Sequence, residues 1–168
     1  MIARRATHAS MTIVGDLGQA THPLAAGSWS ELMERLGKRT ARTLDLPTGY
    51  RVPQVIADYA ALALPPGIEP TRSFRPGGTL EIRQVDDLAA AVAQESGAII
   101  AADHVAASLN AIPVSLVKGL EYDRVVLVEP ADIVAAEPRG MNRLYVALTR
   151  AVAELVILHT KPLPFDRP

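Results

Sequence analysis

The chain has 168 residues, with 17 basic and 18 acidic side chains and a formal net charge of −1. An apolar fraction of 49% with only 4% aromatics allows one aliphatic core of strands packed on helices. The lack of cysteine excludes disulfide scaffolds and thiol chemistry, and the balanced charge gives no sign of a nucleic-acid coat, although a local basic patch stays open. No apolar run approaches the roughly 20 residues that cross a bilayer. Arg4 and Arg5 lack the apolar core of a signal peptide, so a soluble cytoplasmic protein without membrane partners is expected. His8, His22, His104 and His159 show no ligand spacing, and no metal site is expected.

Taken in chain order, Met11–Val14 reads as a β-branched strand stopping at Gly15-Asp16, with the carboxylate just past its end. "SWSELMERLG" reads as a helix capped by Ser28 or Ser30, with Glu31 in its first turn and Gly37 ending it. The basic stretch "KRTARTLDL" leads into a strand around Arg42–Leu46. A helix is expected from about Pro53 to Leu64, with Val55, Ile56, Tyr59, Leu62 and Ala63 as its apolar face. Residues 65–78, rich in Pro and Gly, read as an irregular loop.

Beyond that loop the pattern becomes regular. "TLEIRQV" is a strand and "DDLAAAVAQES" a helix with Asp86 and Asp87 at its positive end. "GAIIAA" is a buried strand, "DHVAASLN" a helix, and "IPVSLV" and "RVVLVEP" two more strands. A helix across "GMNRLYVALTRAVAE" and a last strand "LVILHT" follow. The alternation predicts an α/β fold, a mainly parallel sheet with helices on both faces and a functional edge at the strand carboxyl ends.

Three polar clusters interrupt the aliphatic background. Gly15–Gln19, "GDLGQ", is either a plain turn or a loop at the functional edge. Lys118-Gly119-Leu120-Glu121-Tyr122-Asp123 is either a solvated loop or a turn that holds a ligand. In the third cluster a helix would align Leu144, Leu148, Ala151, Val152 and Leu155 as an apolar stripe. It would set Arg143 and Arg150, seven residues apart, along one exposed line. Those arginines either snorkel into water or, beside Thr149, present a fork to phosphate.

In order, "GDLGQ", "GYRVP", "VKGLEYD" and "LYVALTRA" resemble the later motifs of superfamily 1 helicases of the UvrD/Rep kind. Those motifs are GDxxQ after a strand, YR before a helix, KGLEF/Y-D before a strand, and YVAxTRA. The resemblance runs from about Thr12 to Leu158, and its details sit nearer the HelD-like, RNA-polymerase-associated branch. No Tyr and Arg-Gly-Ala follow GDxxQ, and the interval from Arg51 to Lys118 leaves no room for a large inserted subdomain. Pro113 and Ser115 stand where a Thr-x-His is expected. No G-x-x-x-x-G-K-[ST] occurs, and no Asp-Glu pair ends a strand before "GDLGQ".

The resemblance implies a RecA-like fold of the P-loop NTPase type. Residues 1–37 would be a remnant of a first RecA-like domain carrying the GDxxQ loop, and 38–168 the second. It further implies that ATP, with Mg²⁺, binds between this chain and a first RecA-like domain lying upstream. Arg51 and Arg150 would reach the γ-phosphate; Gln19 would sense it or orient water, with Asp16 fixing that loop. Glu121 would accept from a ribose hydroxyl, Gly119 permitting close approach and Lys118 pinning the turn or a phosphate. Implied partners are single-stranded DNA, RNA polymerase, or both, and Trp29 either stacks on a base or tucks into its own helix's core. By itself the chain would be inactive, and Arg150→Ala would leave folding near normal. The strand at 11–14 would pair with the second domain or edge to edge with another copy. Two other readings stay open: a non-catalytic RecA-like module docking on RNA polymerase or a repair protein, and a small α/β nucleotide-binding regulator.

Overall fold

The computed structural model describes residues 11–165. The expected units 1–37 and 38–168 therefore begin and end outside the described residues, as do Arg4, Arg5 and His8. Near the amino end, helix α1 (Trp29–Arg35) starts where Ser28 Oγ accepts from the Glu31 amide at 3.1 Å. Glu31 turns back to accept from the Gly27 amide at 2.7 Å, so two otherwise orphaned donors are satisfied together. Met11–Val14 do not form the expected strand, and Val14 is 82% exposed. A strand needs a hydrogen-bonded neighbour, and among the described residues none runs beside this segment.

The strand expected at 42–46 is likewise absent; Leu44 and Leu46 stand exposed, and pairing begins only at β1 (Thr48–Pro53). Helix α2 (Gln54–Ala61) follows directly and buries Ile56, Tyr59 and Ala60, while Val55 falls off that face. The stretch read as loop holds β2 (Arg72–Arg75), which runs parallel to β1 with Thr48 opposite Arg72 and Gly49 opposite Ser73. Ser73 Oγ donates to the Val52 carbonyl, tying this small two-stranded sheet together beside α2.

The main sheet is five-stranded and wholly parallel, in the order β3-β7-β6-β4-β5. Its members are β3 (Thr79–Gln84), β4 (Ala98–Ala101), β5 (Ile112–Pro113), β6 (Tyr122–Val128) and β7 (Ala151–His159). Strand periodicity sorts the aliphatic runs onto two faces. Val125, Leu127, Leu155 and Ile157 join one core with α2, α5 (Pro130–Ala135) and α6 (Gly140–Leu148). Val126, Val128, Val156 and Leu158 join a second core with α3 (Leu88–Val92) and α4 (Asp103–Ala106). Each fully buried Leu or Ile contributes about 1.5–3 kcal/mol of transfer free energy, so the two central strands carry the fold. Asp87 caps α3, its Oδ1 accepting from the Ala90 amide at 3.1 Å.

Three boundaries differ from expectation. Only Ile112–Pro113 of "IPVSLV" pair as strand, and a 3-10 turn takes Val114–Leu116. Helix α5 occupies a stretch that carried no helical pattern, and Pro130 at its start suits that position. Helix α6 stops at Leu148, six residues before the expected end, and residues 151–154 belong to β7. The stop is made by side chains. Thr149 Oγ1 donates to the carbonyls of Tyr145 (2.9 Å) and Val146 (3.1 Å), and Arg150 Nε donates to Val146 O at 2.8 Å. At Val146 O the guanidinium takes the place of the amide a continuing helix would supply, while Tyr145 O keeps the Thr149 amide at 3.1 Å.

Where β6 ends, Glu129 adopts a left-handed backbone (φ 46°) and is buried. Its Oε2 accepts from the Thr160 amide at 2.9 Å, Thr160 Oγ1 at 2.6 Å and the Lys161 amide at 3.3 Å, fixing the exit of β7.

Candidate functional site

The site begins with two side chains from distant parts of the chain. Arg51 projects from an exposed position on β1, and Glu121 closes the turn that enters β6. Arg51 Nη1 lies 2.8 Å from Glu121 Oε1, and both side chains are close to half exposed. Gly119 gives that turn its shape with φ 87°, a conformation that L side chains seldom adopt. A Cβ there would meet open space, so within the fold itself it is the backbone conformation that calls for this glycine.

Arg150 sits behind the pair. Its helix ends before it, so it does not share an exposed line with Arg143, as the longer helix had implied; Arg143 instead pairs with Glu137 at 2.6 Å. Arg150 is 1% exposed. Its Nη1 donates to the Leu120 carbonyl at 3.0 Å and its Nη2 to Thr149 Oγ1 at 3.1 Å, alongside the Nε bond to Val146. The guanidinium thus ties the end of α6 to the turn bearing Glu121. Burial, and then the neighbouring Arg51 cation, lower its pKa, opposed by Glu121. A guanidinium stays charged regardless, so this buried cation depends on the negative groups and carbonyls around it.

The "GDLGQ" loop completes the wall. Leu17–Gln19 form a 3-10 turn capped by Asp16, whose Oδ1 accepts from the Gly18 amide at 2.8 Å. Asp16 Oδ2 accepts from Gln19 Nε2 at 2.8 Å, so the carboxylate orients the Gln19 side chain. Lys118 Nζ donates to the Gln19 carbonyl at 2.7 Å, joining the loop to the turn that precedes Glu121. Two residues not singled out in the sequence add to this hold. Asn142 donates to the carbonyls of Leu17 and Gly18, and Arg139 to those of Ala20 and Ala25. Their signal was faint, because a polar residue in a helix reads as solvent-facing until the opposing loop is known.

A cavity of ≈ 210 Å³ opens between these pieces, and Asp16, Gln19, Tyr50, Arg51, Tyr145 and Thr149 are among its lining. The Tyr145 ring is buried, and its hydroxyl is pushed up to about 12, first by burial and next by the Asp16 charge. Trp29 lies apart from that lining; half-buried, it sets its indole edge against Gly15, where a side-chain carbon would meet Trp29 Cη2 at 3.3 Å. Among the described residues no group of three or more His, Asp or Glu could hold a metal ion.

Residues 108–158 match the family of UvrD-like helicase C-terminal domains. The match takes in Lys118, Gly119, Glu121, Asn142 and Arg150, and leaves Arg51 and the "GDLGQ" loop outside it. Among solved structures, the C-terminal domain of a possible DNA helicase from Lactobacillus plantarum WCFS1 is similar, with a TM-score of 0.50 and 20% identity. That likeness covers 68% of this chain and 89% of the other. The PRRSV helicase is similar at a TM-score of 0.52 and 23% identity, over 73% of this chain but only 25% of that one. At these identities the likeness is one of fold: a parallel sheet flanked by helices, as in helicase C-terminal RecA-like domains. No curated protein matches the sequence. Among the described residues no helix is long and apolar enough to cross a membrane.

Proposed function

We propose that this chain supplies one wall of an ATP site in a UvrD-like helicase, facing a phosphate loop carried by another RecA-like domain. The observation that carries the reading is the meeting of Arg51 and Glu121, 70 residues apart, beside the cavity lined by Asp16 and Gln19. Arg150 is buried behind them.

The two arginines would supply the positive charge for an anion at this spot. Glu121 and Asp16 now stand nearby as their carboxylates, and burial strips Arg150 of the water that would screen it. The Arg51–Glu121 pair is exposed enough to be worth only about 0–1 kcal/mol, so a phosphate can replace Glu121 as the partner of Arg51 at little cost. Glu121, released, can accept from a sugar hydroxyl. Arginines placed on a transferring phosphoryl group contribute about 10³–10⁵ in rate. In this reading Arg51 makes that contact, Gln19 faces the phosphate end, and Lys118 and Asp16 hold the Gln19 loop. Arg150 supplies charge from behind, through the turn it anchors.

The donor set suits phosphate and ribose. It does not suit Mg²⁺, so the metal would arrive with the nucleotide and be held by the opposing domain. Hydrolysis would then open and close the cleft between the two domains, moving single-stranded DNA or remodelling RNA polymerase. The motif departures noted in the sequence favour the HelD-like branch and RNA polymerase as the partner.

Equilibrium dialysis with ATP and Mg²⁺ tests the reading. The 168-residue chain is expected to bind with millimolar affinity, lose binding in Arg51→Ala, and release no phosphate. Binding that is indifferent to Arg51→Ala would contradict it.

A further inference from the structure

The hold on the "GDLGQ" loop is made through its backbone. Asn142 Nδ2 donates to Leu17 O at 3.1 Å and Gly18 O at 2.9 Å, and the residue is 5% exposed. Arg139 donates to Ala20 O at 3.2 Å and Ala25 O at 2.6 Å, and Lys118 to Gln19 O at 2.7 Å. Because every acceptor is a carbonyl, the grip is indifferent to the loop's own side chains.

Shape reinforces it. Gly18 is buried, and a Cβ there would lie 2.7 Å from Leu64 Cδ2 and 3.0 Å from Tyr145 Cε1, so a larger residue would have to push the Leu64 side chain aside. Contacts then run in series. Asn142 and Tyr145 fix Gly18, the Gly18 amide fixes Asp16, and Asp16 fixes the Gln19 carboxamide.

We infer that Asn142, aided by Arg139, is a positioning residue that locks the Gln19 loop onto helix α6. The consequence for ATP rests on the function proposed above, since it requires Gln19 to face the nucleotide; the lock itself does not. With the lock made, the helix whose end carries Thr149 and Arg150 sets where Gln19 stands, and opening of the cleft would have to break these contacts.

The test is nucleotide-free. Asn142→Asp keeps the shape but replaces the donor with an acceptor aimed at two carbonyls. Hydrogen exchange at the amides of Gly18, Gln19 and Ala20 is expected to accelerate roughly tenfold or more while β6 and β7 exchange as before. Trp29, the single indole, rests on Gly15 at the loop's entry and should shift its emission to the red. Unchanged loop exchange would overturn the inference, and so would a uniform rise across β6 and β7, which would make Asn142 a plain core support. Should Asn142→Asp fail to fold, Arg139→Gln, at a half-buried position, must accelerate exchange at Ala20 and Thr21, or the inference falls. If Asn142→Asp loosens the loop as expected but the unaltered chain binds no ATP, the proposed function alone falls.

Discussion

Lys118 Nζ reaches the carbonyl oxygen of Gln19, 99 residues earlier in the chain, at 2.7 Å. The contact joins two motifs that the sequence keeps far apart, and it leaves the Gln19 side chain free to be oriented by Asp16. Lys118→Met should keep the fold, since its ammonium is exposed, yet loosen the loop. Limited proteolysis near residues 20–25 is expected to quicken, with little change in the urea midpoint.

The exposed Arg51–Glu121 pair predicts a split between stability and binding. Glu121→Gln and Arg51→Ala should each change unfolding free energy by no more than about 1 kcal/mol. Arg51→Ala should weaken ATP binding, and Glu121→Gln should weaken ATP more than inorganic triphosphate, which has no sugar. Chemical denaturation and competition binding on the same samples check both.

Arg150 predicts the reverse pattern, against the expectation from sequence that Arg150→Ala would leave folding near normal. Truncation would remove the hydrogen bonds to Leu120 O and Val146 O and leave a cavity where a buried side chain stood. The lost partner of the buried Val146 carbonyl costs about 1–3 kcal/mol, while Leu120 O, on an exposed residue, can turn to water. Arg150→Ala should therefore lose about 2–4 kcal/mol in urea unfolding, and Arg150→Lys, which cannot reproduce the planar fork, most of that.

Those contrasts mark how far the sequence is legible. The aliphatic runs Val125–Val128 and Leu155–Leu158 announce buried parallel strands, and Ser28 and Asp87 announce their helices, because these signals are local. The end of α6 is not local. It is written by Thr149 and Arg150 bonding back onto the last turn, and by the turn at Leu120 that accepts from Arg150. An arginine at helical spacing from Arg143 therefore reads as exposed when it is among the most buried side chains in the chain. Strand β2 escapes notice for a related reason: four residues between Pro- and Gly-rich stretches pair only with β1. The four motifs were legible as motifs, whereas the partners Asn142 and Arg139 became visible only with the loop lying across them.

Tyr145 gives a pH signature. Its folded-state pKa of about 12 lies above the ordinary value of 10.0, so the folded state keeps a proton that the unfolded state releases between those values. The sign makes stability fall as pH rises through this window, by roughly 2 kcal/mol in all. Urea unfolding at pH 9 and pH 11.5 should show the loss, and Tyr145→Phe should be less sensitive over the same interval.

Glu129 predicts a stability effect remote from the site. Glu129→Ala frees the Thr160 and Lys161 amides and should cost about 2–4 kcal/mol. Glu129→Gln keeps an acceptor and should cost less. Equal losses in thermal unfolding would mean that charge, not hydrogen bonding, holds the exit of β7.

The most direct measurement is a backbone amide NMR titration of the 168-residue chain with ATP and Mg²⁺. The account predicts concerted shifts at 16–19, 49–52, 119–121 and 145–150, with the rest of the sheet quiet. Shifts confined to one of those segments, scattered elsewhere, or absent at several millimolar nucleotide would contradict the claim that these four motifs form one nucleotide-facing wall.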